Sequence, residues 1–402
     1  MTPPAITEIQ VLDALRPIVD PDFRKSIVDL GFVKNIQING GDVSFAIELT
    51  TPACPIKEEF KNDATNRVSE LAGVTNVAVE MTAQERPTPG SVETEREDVL
   101  PGVFRTIAVA SGKGGVGKST TAINLALALQ KAGARVGVMD CDVYGPSLPL
   151  LTGTHARPET QGKKILPLEG HGLKLMSIGY FTDDESPVIW RGPMVHGLIR
   201  QFLTDVLWGE LDYMILDMPP GTGDAALTLT QNAPLSGAVI VTTANDLSVI
   251  DARKGLAMFQ KVDIPVLGII ENMSFFTPPD LPDRKYYIFG EGGGRRVAEQ
   301  LEVDFLGEIP IDSQVVTDGD AGKPIVLSQP DSVAAQAFTE LASKVTRTLS
   351  RLEGEKQGIA ATQGDHETTR RLVVARRAAS PGSTPVQDQP ARLPHVGCTP
   401  RR

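Results

Sequence analysis

The chain has 402 residues, of which 41% are hydrophobic and 22% charged, proportions typical of a soluble globular protein with a sizeable core. Its 50 acidic residues outnumber 39 basic ones and give a formal net charge of −11, which argues against nucleic acid as the main partner, because nucleic-acid binding depends on phosphate neutralisation. Three distant cysteines do not suggest a disulfide framework, and no apolar run is long enough for a transmembrane helix. The N-terminus lacks the basic region followed by an apolar stretch that marks a secretory signal, so a cytoplasmic protein without stable membrane association is expected.

Residues 1–84 combine helical and strand patterns typical of a small α+β domain. Apolar residues at helical spacing open the region, and two alternating strand segments flank a turn at Gly40 and Gly41. A second helix is predicted between Pro55 and Gly73, because proline favours the first helical position and glycine the position after the last. One more alternating strand closes the predicted domain.

The remaining chain divides into three regions of different composition. Residues 85–102 are polar and contain several prolines, which predicts a linker. In residues 103–350, helical segments alternate with short apolar runs, namely TIAVAS, RVGVMD, YMILDMP, GAVIVTT and VLGIIEN. Strands that are apolar on both faces predict a mostly parallel α/β sheet covered by helices on both sides. Residues 357–402 contain few core-forming side chains, which predicts a disordered tail.

The segment SGKGGVGKST, residues 111–120, has the spacing of a phosphate-binding loop. Gly112, Gly117, Lys118 and Ser119 satisfy G-x-x-x-x-G-K-[ST], and the motif stands between a predicted strand and a predicted helix, as such a loop requires. Backbone N–H groups and the positive end of the helix dipole bind phosphate oxygens, Lys118 neutralises phosphate charge, and the Ser119 hydroxyl is offered to Mg²⁺. The expected ATP-binding loop residues are Gly112, Lys113, Gly114, Gly115, Val116, Gly117, Lys118, Ser119 and Thr120.

Three aspartates stand at the ends of predicted strands. Asp217 has the position of a carboxylate that reaches Mg²⁺, directly or through water. Asp140 and Asp142 lie two residues apart, so their side chains share one side if the strand continues. One of the pair could hold a metal-bound water while the other orients the attacking water, and a structural role for one of them is the alternative.

Lys113 stands too early in the loop for its side chain to reach the phosphates that this loop holds. In a dimer whose subunits face each other across their nucleotides, each Lys113 would approach the partner's phosphates and add positive charge where the transition state gathers negative charge. A solvent-exposed lysine is the alternative interpretation.

Together these motifs resemble a known family. KGGVGKST resembles the deviant P-loop of the proteins that include the nitrogenase iron protein, MinD and ParA. With DCDVYGPSLPLLTG, DYMILDMPPGTGDAALTL, IIENMS and FGEGGGRRVAEQ, the region from about 100 to 345 resembles the Mrp-type (ApbC-type) iron–sulfur cluster carriers. DPDFRKSIVDLGFV and TTPACP resemble the iron–sulfur assembly domain that is often fused ahead of such ATPases.

The resemblance implies a homodimeric, Mg²⁺-dependent ATPase that assembles iron–sulfur clusters or transfers them to apo-proteins. Within it, Lys113 is the intersubunit lysine, and Asp142 orients the attacking water. Asn272 matches a position where an asparagine amide contacts the adenine edge, and an ordinary strand-end asparagine is the alternative. The implied catalytic residues are Lys113, Lys118 and Asp142, and the implied Mg²⁺ ligands are Ser119, Asp140 and Asp217.

Cysteine placement departs from the family pattern. Many such carriers have a Cys-x-x-Cys pair after ENMS, where two subunits hold a [4Fe–4S] cluster, but the corresponding stretch here, ENMSFFTPPDLPDRKYYIFGEGGG, has no cysteine. Cys54 is the candidate cluster ligand, because it lies in TTPACP at a predicted helix start that favours thiolate, and a small buried cysteine is the alternative. Cys141 is expected to pack behind the nucleotide, and Cys398 lies in the predicted tail.

Two other functions compete with a cluster carrier. A positioning ATPase of the MinD or ParA type needs a membrane-binding helix or a basic DNA-binding face, and the acidic composition and the N-terminal domain argue against it. A non-enzymatic assembly scaffold with ATP as a structural ligand is disfavoured by the intact Asp142 and Asp217.

Overall fold

The structure, a computed structural model, describes residues 6–20, 25–49, 57–83, 99–182 and 192–354. The chain divides into two units, Met1–Leu352 and Glu353–Arg402, and nearly all described elements belong to the first. The tail predicted at 357–402 and all but the last four residues of the linker predicted at 85–102 lie outside the described residues. The domain boundaries therefore remain predictions.

The N-terminal region is a small α+β arrangement with its own hydrophobic core. Its sheet pairs β3 with β4 as an antiparallel hairpin, and β4 with β5 in parallel across the helix α2. Gly40 turns the hairpin with a φ of 65°, as the sequence predicts, while Pro55 lies outside the described residues. The elements are α1 (Glu8–Leu15), β1 (Val19–Asp20), β2 (Lys25–Ser26), β3 (Val33–Asn39), β4 (Asp42–Leu49), α2 (Lys57–Ser69) and β5 (Asn76–Ala83).

The second region is built on an eight-stranded sheet in the order β10-β11-β7-β12-β6-β13-β14-β15. All neighbouring strands are parallel except the edge pair β10–β11. The strands that follow β5 are β6 (Val103–Ser111), β7 (Val136–Asp140), β8 (Thr160–Gln161), β9 (Lys164–Ile165), β10 (Leu168–Gly170), β11 (Leu173–Ser177), β12 (Leu211–Asp217), β13 (Gly237–Thr242), β14 (Val266–Glu271) and β15 (Phe305–Glu308).

Helices cover both faces of this sheet. Along β6, Ile107 and Val109 pack into a cluster that includes α3, α10 and α11, whereas Ala108 and Ala110 pack into a cluster with α5, α6, α7 and α8. This two-sided burial explains the continuous apolar runs in the sequence. The helices are α3 (Lys118–Lys131), α4 (Leu148–Thr152), α5 (Gly192–Thr204), α6 (Asp224–Asn232), α7 (Asp246–Lys261), α8 (Gly293–Gln300), α9 (Ser313–Asp320), α10 (Ile325–Ser328) and α11 (333–354).

The predicted fold class is confirmed. The five apolar runs form β6, β7, β12, β13 and β14, and the helix after the phosphate-binding motif is α3, which ends before Gly133 at a φ of 98°. The sequence does not predict β11, in which Lys174 interrupts the apolar run, or β15, in which only Phe305 and Leu306 are apolar. Within the described part of the chain, none of the helices has both the length and the apolar character needed to cross a membrane.

Candidate functional site

Polar residues from three adjacent parallel strands meet at the carboxyl edge of the sheet. Asp140 at the end of β7 is in register with Ser177 at the end of β11 and with Asp217 at the end of β12. The next strand, β6, leads directly into the phosphate-binding loop and α3. Parallel pairing therefore brings together residues that are far apart in sequence.

The glycines of the loop are required by close neighbours and by backbone conformation. A Cβ at Gly112 would lie 2.1 Å from the carbonyl carbon of Asp251, so the backbone of α7 packs directly against the start of the loop. Gly115 and Gly117 have φ angles of 81°, and a Cβ at Gly117 would lie 2.1 Å from Asn272 Nδ2. The loop conformation thus depends on helix α7 and on the residue after β14.

Lys118 and Asp217 form a buried ion pair in the site. Lys118 Nζ lies 2.5 Å from Asp217 Oδ1 and donates a second hydrogen bond to Ser119 Oγ at 3.1 Å. The two charged side chains are 7% and 5% exposed. The structure therefore brings together the lysine, the serine and the aspartate that the sequence assigns to phosphate and Mg²⁺.

The Asp140 carboxylate is buried and surrounded by hydrogen-bond donors. Its Oδ1 accepts from Asp142 N at 3.0 Å, and its Oδ2 accepts from Ser147 N at 3.1 Å, Leu148 N at 3.3 Å and Ser177 Oγ at 3.0 Å. Burial and the neighbouring charge of Asp217 raise the pKa of Asp140 from 3.8 to about 7. Both oxygens thus already have protein partners, and the expected contact of Asp140 with Mg²⁺ stays a prediction.

Asp142 and Lys113 lie on loops beside this cluster. The Asp142 side chain is half-buried, and burial raises its pKa despite backbone hydrogen bonds from Gly145 and Tyr144 that favour the charged form. The carbonyl of Lys113 accepts a hydrogen bond from Ser111 Oγ at 2.9 Å. Lys113 is half-buried, and among the residues that the structure describes its ammonium pairs with no carboxylate.

Asn272 contacts the phosphate-binding loop directly. Its Nδ2 donates to the Val116 carbonyl at 2.8 Å, and the residue is only 7% exposed. The sequence does not predict this contact, which ties the end of β14 to the loop. The amide also has Oδ1 and a second hydrogen, so the expected contact with adenine stays a prediction.

The cysteines divide between described and undescribed parts of the chain. Cys54 and Cys398 lie outside the described residues. Cys141 is 1% exposed, its Sγ donates to the Met139 carbonyl at 3.5 Å, and burial raises the pKa of its thiol. Cys141 is therefore unsuited to bind iron. Across the described ranges, no group of three or more His, Cys, Asp or Glu residues has the arrangement of a metal site.

Ser177 is a residue of the site that sequence motifs did not identify. It is fully buried, it ends β11, and its hydroxyl contacts Asp140. The available signal was the alternating run LKLMS, which follows a His171-Gly172 turn and ends in a polar residue. Nothing local in that run indicates that it pairs with β7.

Comparisons with known proteins identify the family of this chain. The model of the NUBPL iron-transfer P-loop NTPases matches residues 102–346, and that of an iron–sulfur cluster assembly protein matches residues 8–80. The iron–sulfur cluster carrier protein of Synechocystis sp. is 48% identical over 350 residues, which are 86% of this chain and 98% of that protein. The corresponding protein of Deinococcus radiodurans is 44% identical over 85% of this chain and 97% of its own length.

Two further relatives widen the comparison. The chloroplastic Fe–S cluster assembly factor HCF101 of Arabidopsis thaliana is 46% identical over 86% of this chain and 65% of that protein. A solved structure of a nucleotide-binding protein from Archaeoglobus fulgidus, in complex with ADP, is 40% identical and superposes with a TM-score of 0.51, covering 56% of this chain and 89% of that one. The likeness thus extends over both the N-terminal region and the phosphate-binding region.

Proposed function

Because this chain belongs to the NUBPL iron-transfer P-loop NTPase family, we propose that it is an ATP-hydrolysing iron–sulfur cluster carrier that assembles clusters or transfers them to apo-proteins. The proposal of nucleotide binding is supported most directly by the buried contact of Lys118 with Asp217 and Ser119 beneath the glycine-rich loop. The proposal of an iron–sulfur function is supported by the family match of the N-terminal region.

ATP binding follows from the chemistry of the loop and of the helix behind it. The first turn of α3 presents backbone N–H groups and the positive end of its dipole to the phosphates. Lys118 supplies a full positive charge at the same place. The loop is held for this task by Asn272 and by the backbone of α7, which contacts Gly112.

Bound ATP requires Lys118 and Asp217 to exchange partners. In the structure each neutralises the other in a site with little solvent. Phosphates attract Lys118, and this leaves the Asp217 carboxylate and the Ser119 hydroxyl as hard oxygen donors of the kind that Mg²⁺ prefers. When bound there, Mg²⁺ would neutralise phosphate charge. Nucleotide and metal binding are thus coupled through one buried ion pair.

Hydrolysis needs an oriented water and extra positive charge. We assign the first role to Asp142, whose backbone N–H is fixed by Asp140. We assign the second to Lys113 of a partner subunit in an ATP-bound homodimer, since the Lys113 ammonium has no carboxylate partner among the described residues. Hydrolysis would then occur only when two subunits are paired, and it would switch the carrier between two states.

The cluster is cargo, and Cys54 is its proposed protein ligand. Cys141 is excluded by its burial, and the chain has only three cysteines. Two Cys54 thiolates in a dimer supply half of the four ligands that a [4Fe–4S] cluster needs. The remaining ligands would come from glutathione, the apo-protein or other side chains, which suits a cluster that is handed on.

Anaerobic reconstitution with iron and sulfide tests this function. Wild type is expected to retain iron, Cys54→Ser to lose most of it, and Cys398→Ser, the matched control, to retain as much as wild type. Transfer to an apo-ferredoxin should follow the retained iron. If wild type retains no iron and transfers none, the carrier function is wrong, whatever its ATPase activity.

A further inference from the structure

The Ser177 hydroxyl has one fixed orientation. Gly179 N donates to Ser177 Oγ at 3.1 Å, and Ser177 Oγ donates to Asp140 Oδ2 at 3.0 Å. A hydroxyl has a single hydrogen, and here the Gly179 amide already occupies an acceptor position. The hydrogen of this fully buried serine is therefore directed at the Asp140 carboxylate.

The Asp140 carboxylate in turn closes the loop 141–148. Asp142 N lies at one end of this loop, and Ser147 N and Leu148 N lie at the other. All three amides donate to the same side chain, so both ends of the loop are attached to one buried group. The position of Asp142 thus depends on how Asp140 is held.

The turn after β11 also packs against the far end of the loop. A Cβ at Gly179 would lie 3.2 Å from Pro146 Cβ and 2.9 Å from Pro149 Cγ, which shows a close approach. The loop therefore contacts both the Asp140 carboxylate and the turn that carries the Ser177 hydrogen bond. A change in this hydrogen bond acts on the loop from two sides.

We propose that Ser177 is a positioning residue for ATP hydrolysis, acting through Asp140 on the loop that carries Asp142. The inference rests on the proposed function, in which Asp142 orients the attacking water. The Ser177 side chain contacts Asp140 and Gly179, and we assign it no direct contact with the reacting atoms. Loss of its hydroxyl leaves the phosphate-binding loop intact but loosens the Asp142 loop, so it lowers kcat rather than ATP affinity.

The test compares two serines with the same chemistry. Ser177→Ala in the full chain is expected to lower kcat for Mg²⁺-ATP hydrolysis about tenfold, with KM changed less than about twofold, because only the transition-state geometry is affected. Ser274→Ala is the matched control, since Ser274 is also fully buried and its Oγ donates to a buried carboxylate oxygen of Glu271 at 2.7 Å. Its kcat should match wild type.

A double mutant separates positioning from a general structural effect. In an Asp142→Ala background, measured by single turnover, Ser177→Ala should have no further effect, because the group that it positions is absent. An equal drop in both backgrounds would overturn the inference. Ser177→Cys keeps a donor at the same position, although it is larger and weaker, and should give a smaller kcat defect, which keeps the test available if Ser177→Ala unfolds.

The outcomes also distinguish this inference from the proposed function. An Asp142→Ala defect together with an unchanged kcat in Ser177→Ala overturns the inference alone. Unchanged hydrolysis in Asp142→Ala contradicts the role of Asp142 and overturns the inference with it. A raised KM with unchanged kcat in Ser177→Ala would also contradict positioning, since it would indicate a change in ATP binding.

Discussion

Two buried serine–carboxylate pairs lie at the carboxyl end of the same sheet, and each pair binds a different segment of the chain. Ser177 donates to Asp140 beside β7, and Ser274 donates to Glu271 at the end of β14. Asp140 binds amides of a loop, whereas Glu271 Oε2 accepts from Gly294 N at 2.6 Å, in the first turn of α8. The same local chemistry thus fixes a loop in the half of the sheet from β10 to β6, here called the β7 half, and a helix start in the half from β13 to β15.

The neighbours of the two pairs explain the difference. Asp140 is in register with Asp217, whose partner is Lys118, so the Ser177–Asp140 pair lies beside the buried ion pair of the candidate phosphate site. Glu271 binds Ser274 and Gly294, and the residue after it, Asn272, contacts the glycine-rich loop. Both pairs are thus close to that loop, and they differ in the segment they bind: Asp140 binds the loop that carries Asp142, whereas Glu271 binds the start of α8. We expect the connection to the Asp142 loop, rather than the pair itself, to confer a role in hydrolysis.

The largest effect on ATP hydrolysis is expected from removing the positive charge of Lys118, which lies at the candidate phosphate site in the β7 half. Lys118→Ala should lower ATP hydrolysis at least about 100-fold, because a preorganised charge at the phosphates is lost. The matched control is Lys344→Ala beside β15, whose Nζ donates to the Leu306 carbonyl, and its activity should stay within about twofold of wild type. Phosphate release in steady state measures both. Equal losses would contradict the assignment of the site to the β7 half.

Removing the carboxylate of the ion pair should have opposite effects on binding and on hydrolysis. Asp217→Asn leaves Lys118 with a buried, unpaired charge, which lowers apo stability by about 3 kcal/mol. Metal-free nucleotide should then bind about tenfold more tightly, since Lys118 no longer has to leave a carboxylate, while Mg²⁺-dependent hydrolysis falls. Calorimetric titration with ADP and EDTA measures the affinity. Weaker metal-free binding would contradict the proposed partner exchange, and Glu271→Gln serves as the control in the other half.

Gly112 lies between the two halves, where the loop meets α7. Gly112→Ala should destabilise the protein by about 3 kcal/mol, because its Cβ would overlap the Asp251 backbone. Gly114→Ala is the matched control within the same loop, since a Cβ there has no atom within 4 Å. Thermal unfolding compares the two variants. Equal melting temperatures would show that α7 does not pack against the loop as described.

The smallest expected effect is on stability, and it gives the most direct comparison of the two serine–carboxylate pairs. Ser177→Ala and Ser274→Ala each remove a hydrogen bond to a buried carboxylate, and Ser177→Ala also removes the acceptor of Gly179 N. Each variant should therefore lower the free energy of unfolding by about 1–3 kcal/mol, with Ser177→Ala at the upper end. Both variants lose stability, although only the first loses kcat. Chemical denaturation measures the stabilities. A kcat loss that scales with stability in both variants would remove the distinction between the halves.

Much of this site is predictable from local sequence. The loop, the strands β6, β7 and β12, and the placement of Asp217 follow from a motif and from apolar runs that end in polar residues. Burial on both faces makes those runs distinct, and the strand–loop–helix context makes the motif specific.

The rest depends on long-range pairing. The apolar run of β11 is interrupted by the half-buried Lys174, so its pattern is weak, and its place beside β7 arises only when the sheet forms. The contact of Asn272 with Val116 joins positions 156 apart in sequence, and that of Ser177 with Asp140 joins positions 37 apart. No local sequence pattern predicts either contact.

Cluster transfer with and without nucleotide tests the central claim most directly. Reconstituted protein is mixed anaerobically with an apo-ferredoxin, and the transfer rate is measured with Mg²⁺-ATP and without nucleotide, for wild type and for Lys118→Ala. The account predicts that ATP changes the wild-type rate at least about fivefold, the size of an ordinary coupling energy, and leaves the variant unchanged. Equal wild-type rates under both conditions, with the cluster retained beforehand, would contradict an ATP-controlled carrier.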